Sequence, residues 1–188
     1  MDRAVLFRRF LHCLMAFAPA YYLLPVDLPF MGLERWVLLI GFIFAVSLVE
    51  SVRLLMGWTF FGLRPHERNQ IASFVWAAAG VTAALWFFRE DVATAAIIGW
   101  AFVDPLAGEL RRRSRRLPVS VVVPVAVYLA LAAPALYLWG MLSVPSVVLV
   151  SVVGAATAVF VERQKVRYID DDFLMIVLPC LVMELLSF

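Results

Sequence analysis

The sequence predicts an all-α fold: a polytopic membrane bundle of about seven transmembrane helices, one domain over 1–188, with a cytoplasmic amino terminus. Three observations predict it: the composition, the number of long apolar runs, and the side on which the cations fall. Hydrophobic residues make up 64% of the 188 and charged residues 16%, with a mean hydropathy of +0.94. A soluble domain is nearer half apolar and a quarter charged, so this composition specifies an integral membrane protein. The length leaves room for one bundle and none for a separate soluble domain.

A helix that crosses a hydrocarbon core of about 30 Å needs roughly 20 apolar residues. The first such run, 10–26, follows Arg3, Arg8 and Arg9 and contains Ala16-Phe17-Ala18. That order resembles a secretory leader, but Pro19 directly after the triplet argues against cleavage, so the segment is expected to stay as a helix. Runs at 33–56, 70–88, 92–108, 118–139, 143–161 and 173–188 supply the other six. The fourth ends in Asp104-Pro105 and Gly108, where a missing backbone donor and a loosened turn are expected to free carbonyls toward water or a metal. The sixth carries Val153-Gly154-Ala155-Ala156-Thr157-Ala158, whose small side chains permit close helix packing. Both cysteines, Cys13 and Cys180, lie inside apolar runs and read as packing residues, with neither a metal cluster nor a disulfide indicated.

Short connections make consecutive helices antiparallel neighbours, so the loops alternate sides. With the amino terminus inside, the cytoplasmic positions collect Arg3, Arg8, Arg9, Arg53, Arg64, Arg68, Arg111, Arg112, Arg113, Arg115, Arg116, Arg163, Lys165 and Arg167. Only Arg35 and Arg89 remain outside, two of the sixteen cations. This satisfies the positive-inside rule, and losing one helix from the count would reverse every later assignment. Asp27, Glu34, Glu90 and Asp91 fall in outer loops, and Glu184 near the outer end of the last helix. Asp2, Glu50, Glu67, Asp104, Glu109, Glu162, Asp170, Asp171 and Asp172 fall inside. Orientation does not call for acids, so both signs concentrated on one face predict a polar site facing the cytoplasm. The net charge of +2 suggests no general affinity for nucleic acid.

The stretch from Gly99 to Arg116 forms the centre of that site: Asp104 at the mouth of a membrane helix, then Glu109, then five arginines among six residues. The arginines also serve as a cytoplasmic stop. A stop needs no acid, however, and ionisable groups at membrane depth usually face a cavity, a partner or an ion. Arg9 and His12 are three apart on one helix face, where His12 either packs or joins Arg9 in gripping a phosphate or carboxylate. Glu50 and Arg53 repeat that spacing, as an intrahelical ion pair or as part of the site. In Leu63-Arg64-Pro65-His66-Glu67-Arg68, Glu67 stands near a helix start, where the macrodipole favours an acid. Glu162 and then Asp170-Asp171-Asp172 complete the set. Three consecutive carboxylates repel one another unless solvated or neutralised, and a hard divalent cation such as Mg²⁺ would neutralise them. There is no Ser-His-Asp or Cys-His grouping, no Walker-type Gly-Lys-Ser/Thr and no His-Glu-x-x-His. Acids for a metal and arginines for phosphates instead suit phosphoryl transfer or phosphate-ester chemistry.

The order of these motifs resembles the CTP-dependent polyprenol kinases, a family that includes dolichol and phytol kinases. Arg8-Arg9-Phe10-Leu11-His12 resembles its early Arg-Lys-x-x-His, and Glu50-Ser51-Val52-Arg53 its Glu-x-x-Arg. Leu63 to Arg68 resembles its Arg-Pro-x-Glu-Lys segment, and Phe102-Val103-Asp104-Pro105-Leu106-Ala107-Gly108 its Gly-Asp-x-x-Ala. Val161-Glu162 with Ile169-Asp170-Asp171-Asp172-Phe173 resembles its late Val-Glu and Asp-Asp-Asn-Phe pair. The chain departs in having Val103 for the glycine and Asp172 for the asparagine. Where a Lys-Ser/Thr-x-Glu-Gly segment is expected, it has Arg115-Arg116-Leu117-Pro118-Val119-Ser120.

The resemblance implies a membrane kinase that transfers the γ-phosphoryl of CTP to an isoprenoid or other lipid alcohol at the cytoplasmic face, with Mg²⁺ as the cation. On that expectation Asp104, Asp170 and Asp171 hold the metal. Arg9, His12, Glu50, Arg53, Arg111 and Arg112 engage the nucleotide, and Glu67 or Glu162 orients a cation or accepts the hydroxyl proton. One alternative is a CDP-lipid-forming cytidylyltransferase, although its Lys-Arg and Lys-Asp-x-x-Asp signature needs more lysines than the single Lys165. Another is a non-catalytic transporter or lipid-binding protein, against which stands an outer half almost free of ionisable residues.

Overall fold

In the computed structural model the chain is helical almost throughout, and the structure describes residues 3–29, 32–113, 117–140, 142–164, 166 and 169–187. Asp2, Arg115, Arg116, Lys165, Arg167 and Tyr168, all singled out in the sequence, lie outside the described residues. The helices are α1 (Arg3–Leu14), α2 (Trp36–Met56), α3 (Ser73–Phe87), α4 (Glu90–Arg113), α5 (Leu117–Trp139), α6 (Val144–Arg163) and α7 (Asp171–Leu186). A short antiparallel ladder pairs β1 (Asp27–Leu28) with β2 (Leu33–Glu34) between α1 and α2. Four of the helices, α2, α4, α5 and α6, are long and apolar enough to cross a membrane. α3 is apolar but has only 15 residues, and α7 has 16.

Every apolar run coincides with a helix, but the first differs in kind. α1 begins at Arg3 and gives way to a 3-10 helix over Met15–Leu23, with Pro19 inside it. Proline has no N–H to donate to the carbonyl four residues back and its ring crowds that carbonyl, so an α-helix does not pass through it unaided. The tighter 3-10 winding carries the chain onward. The expected disruption of the fourth helix at Pro105 and Gly108 is not found: α4 runs unbroken to Arg113. Pro105 does leave the Ala101 carbonyl without its helical donor. That carbonyl takes the weak Cys13 S–H at 4.0 Å, so it faces α1 and neither water nor a metal.

α4 is the axis of the bundle. It packs on α5 and α7 and also against α1, α3, α6 and the 3-10 segment. Of its most apolar stretch 67% is buried inside the protein, against 17% for α2. Val92, Ile97, Trp100 and Val103 of α4 have no exposed surface. α2 lies at the edge against α3 and presents Phe44, Leu48 and Leu55 outward, a surface suited to hydrocarbon.

Close approach of the helices depends on small residues. Gly154 of α6 lies against Met183 of α7, as the small-residue run leads one to expect. Gly99 of α4 faces the buried ring of Tyr128 on α5, where an added Cβ would lie 2.7 Å from ring carbons. Gly99→Ala is therefore expected to destabilise the protein by about 1–3 kcal/mol through overpacking. Thermal unfolding in detergent measures this, and an unchanged midpoint would mean that α5 yields at no cost.

The two ends of the bundle differ. One end carries an aromatic collar in which the Arg35 guanidinium lies 5.3 Å and 5.8 Å from the Tyr21 and Tyr22 ring centres. Trp36 and Trp86 meet edge to face there, with ring centres 5.7 Å apart. At the same end Arg89 pairs with Asp91 at 2.8 Å, and its backbone N–H donates to Glu184. Glu34 and Glu90 lie at this end too, beside Trp36 and Arg35, and the other end gathers most of the remaining charges.

Candidate functional site

α1 presents Arg8 and His12 one turn apart, with Arg9 beside them, while α4 presents Trp100, Asp104 and Gly108 at four-residue intervals along one face. The two helices are tied at their charged ends by Arg9 and Glu109, 2.5 Å apart. Glu109 also holds Arg113 at 2.6 Å. Gly108 adds no side chain to the space between them, and a Cβ built there would meet nothing within 4 Å.

The connection between α2 and α3 supplies Arg64 and is locked from two sides. Glu67 caps the short 3-10 turn Pro65–Asn69: its Oε2 accepts the Arg64 N–H at 2.6 Å and its Oε1 accepts the Ser73 N–H at 3.1 Å. Glu50 and Arg53 of α2 form a buried bidentate pair, with donor–acceptor distances of 2.7 Å and 2.8 Å. Arg53 donates further to the Gln70 carbonyl at 2.7 Å and the Arg68 carbonyl at 3.4 Å, and Glu50 accepts the Ala72 N–H at 2.8 Å. Glu50, Arg53 and Glu67 thus hold the loop in place, and none of the three lines the space that Arg64 enters. Burial disfavours charge on Arg64, but Asp172, Asp170 and Glu67 more than offset this and raise its pKa, so it stays cationic.

The three consecutive aspartates take three different roles at the start of α7. Asp170 is the N-cap, its Oδ1 accepting the Asp172 N–H at 3.1 Å. Its burial, and then the neighbouring charges of Asp172 and Asp171, push its carboxyl up to about 8. Asp171 faces outward into the cleft. Asp172 turns inward, its side chain 5% exposed, and accepts the Trp100 indole N–H at 3.2 Å. The His12 ring lies on Trp100, with ring centres 4.3 Å apart. Its Nε2 is 3.2 Å from Asp172 Oδ1 and 3.3 Å from Asp104 Oδ2. This buried nitrogen makes a hydrogen bond to neither. From α6, the buried Glu162 grips Arg111 in a two-pronged ion pair.

These residues surround one cleft of about 360 Å³, lined by Arg8, Arg9, Arg64, Arg111 and Arg112, by His12, Asp104 and Asp171, and by Pro105 and Gly108. The sequence-derived set divides accordingly. Arg9, His12, Asp104, Arg111, Arg112 and Asp171 come together here, whereas Glu50, Arg53, Glu67 and Asp170 support the elements that carry them. Glu162 holds one of the cleft arginines.

Four members, Arg8, Arg64, Trp100 and Asp172, had no individual role in the sequence reading, and Arg64 stood there only within the Leu63 to Arg68 segment. Arg8 was legible as the residue one turn before His12, and Trp100 as one turn before Asp104. Asp172 had no such signal, because three adjacent aspartates give no hint of which one turns inward.

What the geometry defines is a helical membrane-type bundle whose charged end holds an arginine-lined, acid-floored cleft. No family model matches the chain, and it matches no curated protein and no solved structure. The orphaned His12 Nε2, with two carboxylates beside it, is a donor set that a divalent cation would satisfy.

Proposed function

We propose that the protein is a membrane phosphotransferase, moving the γ-phosphoryl of a nucleoside triphosphate, CTP by resemblance, onto a lipid alcohol at the cytoplasmic face. The observation that carries this reading is the convergence of five arginines with His12, Asp104 and Asp171 in one cleft at one end of a hydrophobic bundle. Glu109 pairs with Arg9 and Arg112 and Glu162 with Arg111, which leaves Arg8 and Arg64 facing the cleft as cations that a polyphosphate would engage. In the proposed orientation all seven helices cross the bilayer, with the cleft on the side of the cation-rich loops and the aromatic collar at the opposite interface.

Arg8 and Arg64 hold the phosphates. Arg9, Arg111 and Arg112, anchored by Glu109 and Glu162, shape the rim. Asp104 and Asp172 would hold a divalent cation, Mg²⁺ on the sequence expectation, which would supply charge neutralisation to the phosphates. The acceptor hydroxyl attacks the γ-phosphorus, the bond to the bridging β-oxygen breaks, and the nucleoside diphosphate leaves. The hydroxyl proton passes to Asp171. That role suits Asp171 better than Glu67 or Glu162, whose carboxylates are occupied by Ser73 and Arg64 and by Arg111.

The acceptor's tail has a place too. A second cavity of about 360 Å³ begins at Leu14, two residues beyond His12, and continues past Phe17 and Tyr21 between the 3-10 segment, Phe42 of α2 and Leu85 of α3.

The test is a transfer assay on detergent-solubilised protein with γ-labelled CTP and ATP, Mg²⁺, and phytol, geranylgeraniol, a long polyprenol and diacylglycerol. Label in a lipid alcohol supports the reading. Release of pyrophosphate would point to nucleotidyl transfer, and absence of both transfer and nucleotide-dependent thermal stabilisation would overturn it. Arg64→Ala is expected to raise the nucleotide KM by roughly 10- to 100-fold, as loss of one charge-assisted contact of about 1.5–3 kcal/mol implies. A KM within twofold of the parent would remove Arg64 from the phosphate site.

A further inference from the structure

We infer that the cation is bound through nitrogen as well as oxygen: His12 Nε2, Asp104 Oδ2 and Asp172 Oδ1 form a three-atom ligand face that favours a first-row transition-metal ion over Mg²⁺. The inference rests on the proposed function only for the purpose of the ion, because the ligand face is argued from its own geometry.

The three atoms come from α1, α4 and α7 and lie within 4.8 Å of one another, with Nε2 3.3 Å and 3.2 Å from the two oxygens. Metal–ligand bonds of about 2.0–2.2 Å place adjacent ligands roughly 2.8–3.6 Å apart across octahedral and tetrahedral geometries, and both separations fall in that range. An imidazolium bridging two carboxylates is the competing explanation. It predicts charge-assisted bonds of about 2.7–2.9 Å with the N–H aimed at an oxygen. Neither condition is met, since both distances are longer and Nε2 has no hydrogen-bond partner. The second shell is also built: Trp100 fixes Asp172 through its indole N–H and packs against the His12 ring at a tilt of 49°, so both ligands are held before an ion arrives. An imidazole ligand strengthens binding of borderline ions such as Fe²⁺, Ni²⁺ or Zn²⁺, and the harder Mn²⁺ lies lower in the same series, whereas Mg²⁺ prefers oxygen and gives up water reluctantly.

The experiment uses the full chain in detergent, with Mn²⁺ as the probe and pulsed electron paramagnetic resonance to detect nitrogen coupled to the metal. His66 is the other histidine of the two and lies exposed in the α2–α3 connection. His66→Gln leaves His12 as the sole histidine without disturbing the site. The expected result is a nitrogen modulation in the parent and in His66→Gln that disappears in His12→Gln. Mg²⁺ should displace Mn²⁺ only at concentrations at least roughly tenfold higher. Mn²⁺ bound without nitrogen coupling in His66→Gln, no Mn²⁺ binding at all, or displacement by equimolar Mg²⁺ would overturn the inference. Because His66→Gln leaves the ligand face unchanged, the test does not depend on His12→Gln folding. Nitrogen coupling in a protein that transfers phosphate to no lipid leaves the metal site standing and removes the kinase reading. Mg²⁺-supported transfer without nitrogen coupling does the reverse.

Discussion

Asp104→Asn is expected to lower phosphoryl transfer by roughly 10²- to 10³-fold or more, the scale for losing a preorganised charge at the reacting centre, while leaving the yield of folded protein unchanged. The asparagine keeps the shape of the side chain. It removes one of two carboxylates that face the same imidazole nitrogen, with Asp104 Oδ2 at 3.3 Å and Asp172 Oδ1 at 3.2 Å. Two like charges so close repel one another without a cation between them, so neutralising one does not weaken the fold. On the proposed function, a bound cation and the phosphates would in contrast lose the only carboxylate that α4 contributes to the cleft. Label transfer at saturating nucleotide, compared with the thermal midpoint of the same preparation, separates the two effects. Turnover within tenfold of the parent would take Asp104 out of the site, and loss of the folded species would make it a structural residue.

The largest effect on stability is expected at a residue that the cleft does not contain. Arg53 has no exposed surface, and its guanidinium satisfies both Glu50 oxygens and two loop carbonyls, those of Gln70 and Arg68. Arg53→Met leaves the Glu50 carboxylate buried without its counter-charge, with only the Ala72 N–H still donating to it, and breaking a buried pair costs about 3–5 kcal/mol. The loop that carries Arg64 loses its anchor in the same step. Adding Glu50→Leu to Arg53→Met should recover part of the stability, because the orphaned charge is gone, yet only part, because the loop carbonyls remain unpaired. Chemical or thermal unfolding in detergent reads both variants. A single variant within about 1 kcal/mol of the parent would show that water reaches the pair and that the clamp is not needed.

The linear sequence determined the helices. Long apolar runs and the cations between them are written residue by residue, so α2 through α7 begin and end close to where the runs do, and four of these helices are long and apolar enough to cross a membrane. It also determined which end of the bundle would be polar, since charge placement along the chain and antiparallel order suffice for that. Local winding was less legible. Pro19 lies in a 3-10 helix, whereas α4 runs unbroken through Pro105, and the difference lies in the neighbours. α4 is enclosed by other helices, and the carbonyl that Pro105 orphans finds Cys13 on α1.

Only the tertiary structure decided which charges meet. Glu50 with Arg53 and Arg9 with His12 have the same three-residue spacing. The first pair closes on itself inside the protein, whereas Arg9 reaches α4 and His12 turns toward α4 and α7. Spacing along one helix states which residues share a face, and says nothing of what that face meets. The aspartates make the same point. Successive residues of a helix project about 100° apart, so the rotation of α7 against α3, α4 and α6 alone selects Asp172 for the buried position, Asp171 for the cleft and Asp170 for the cap.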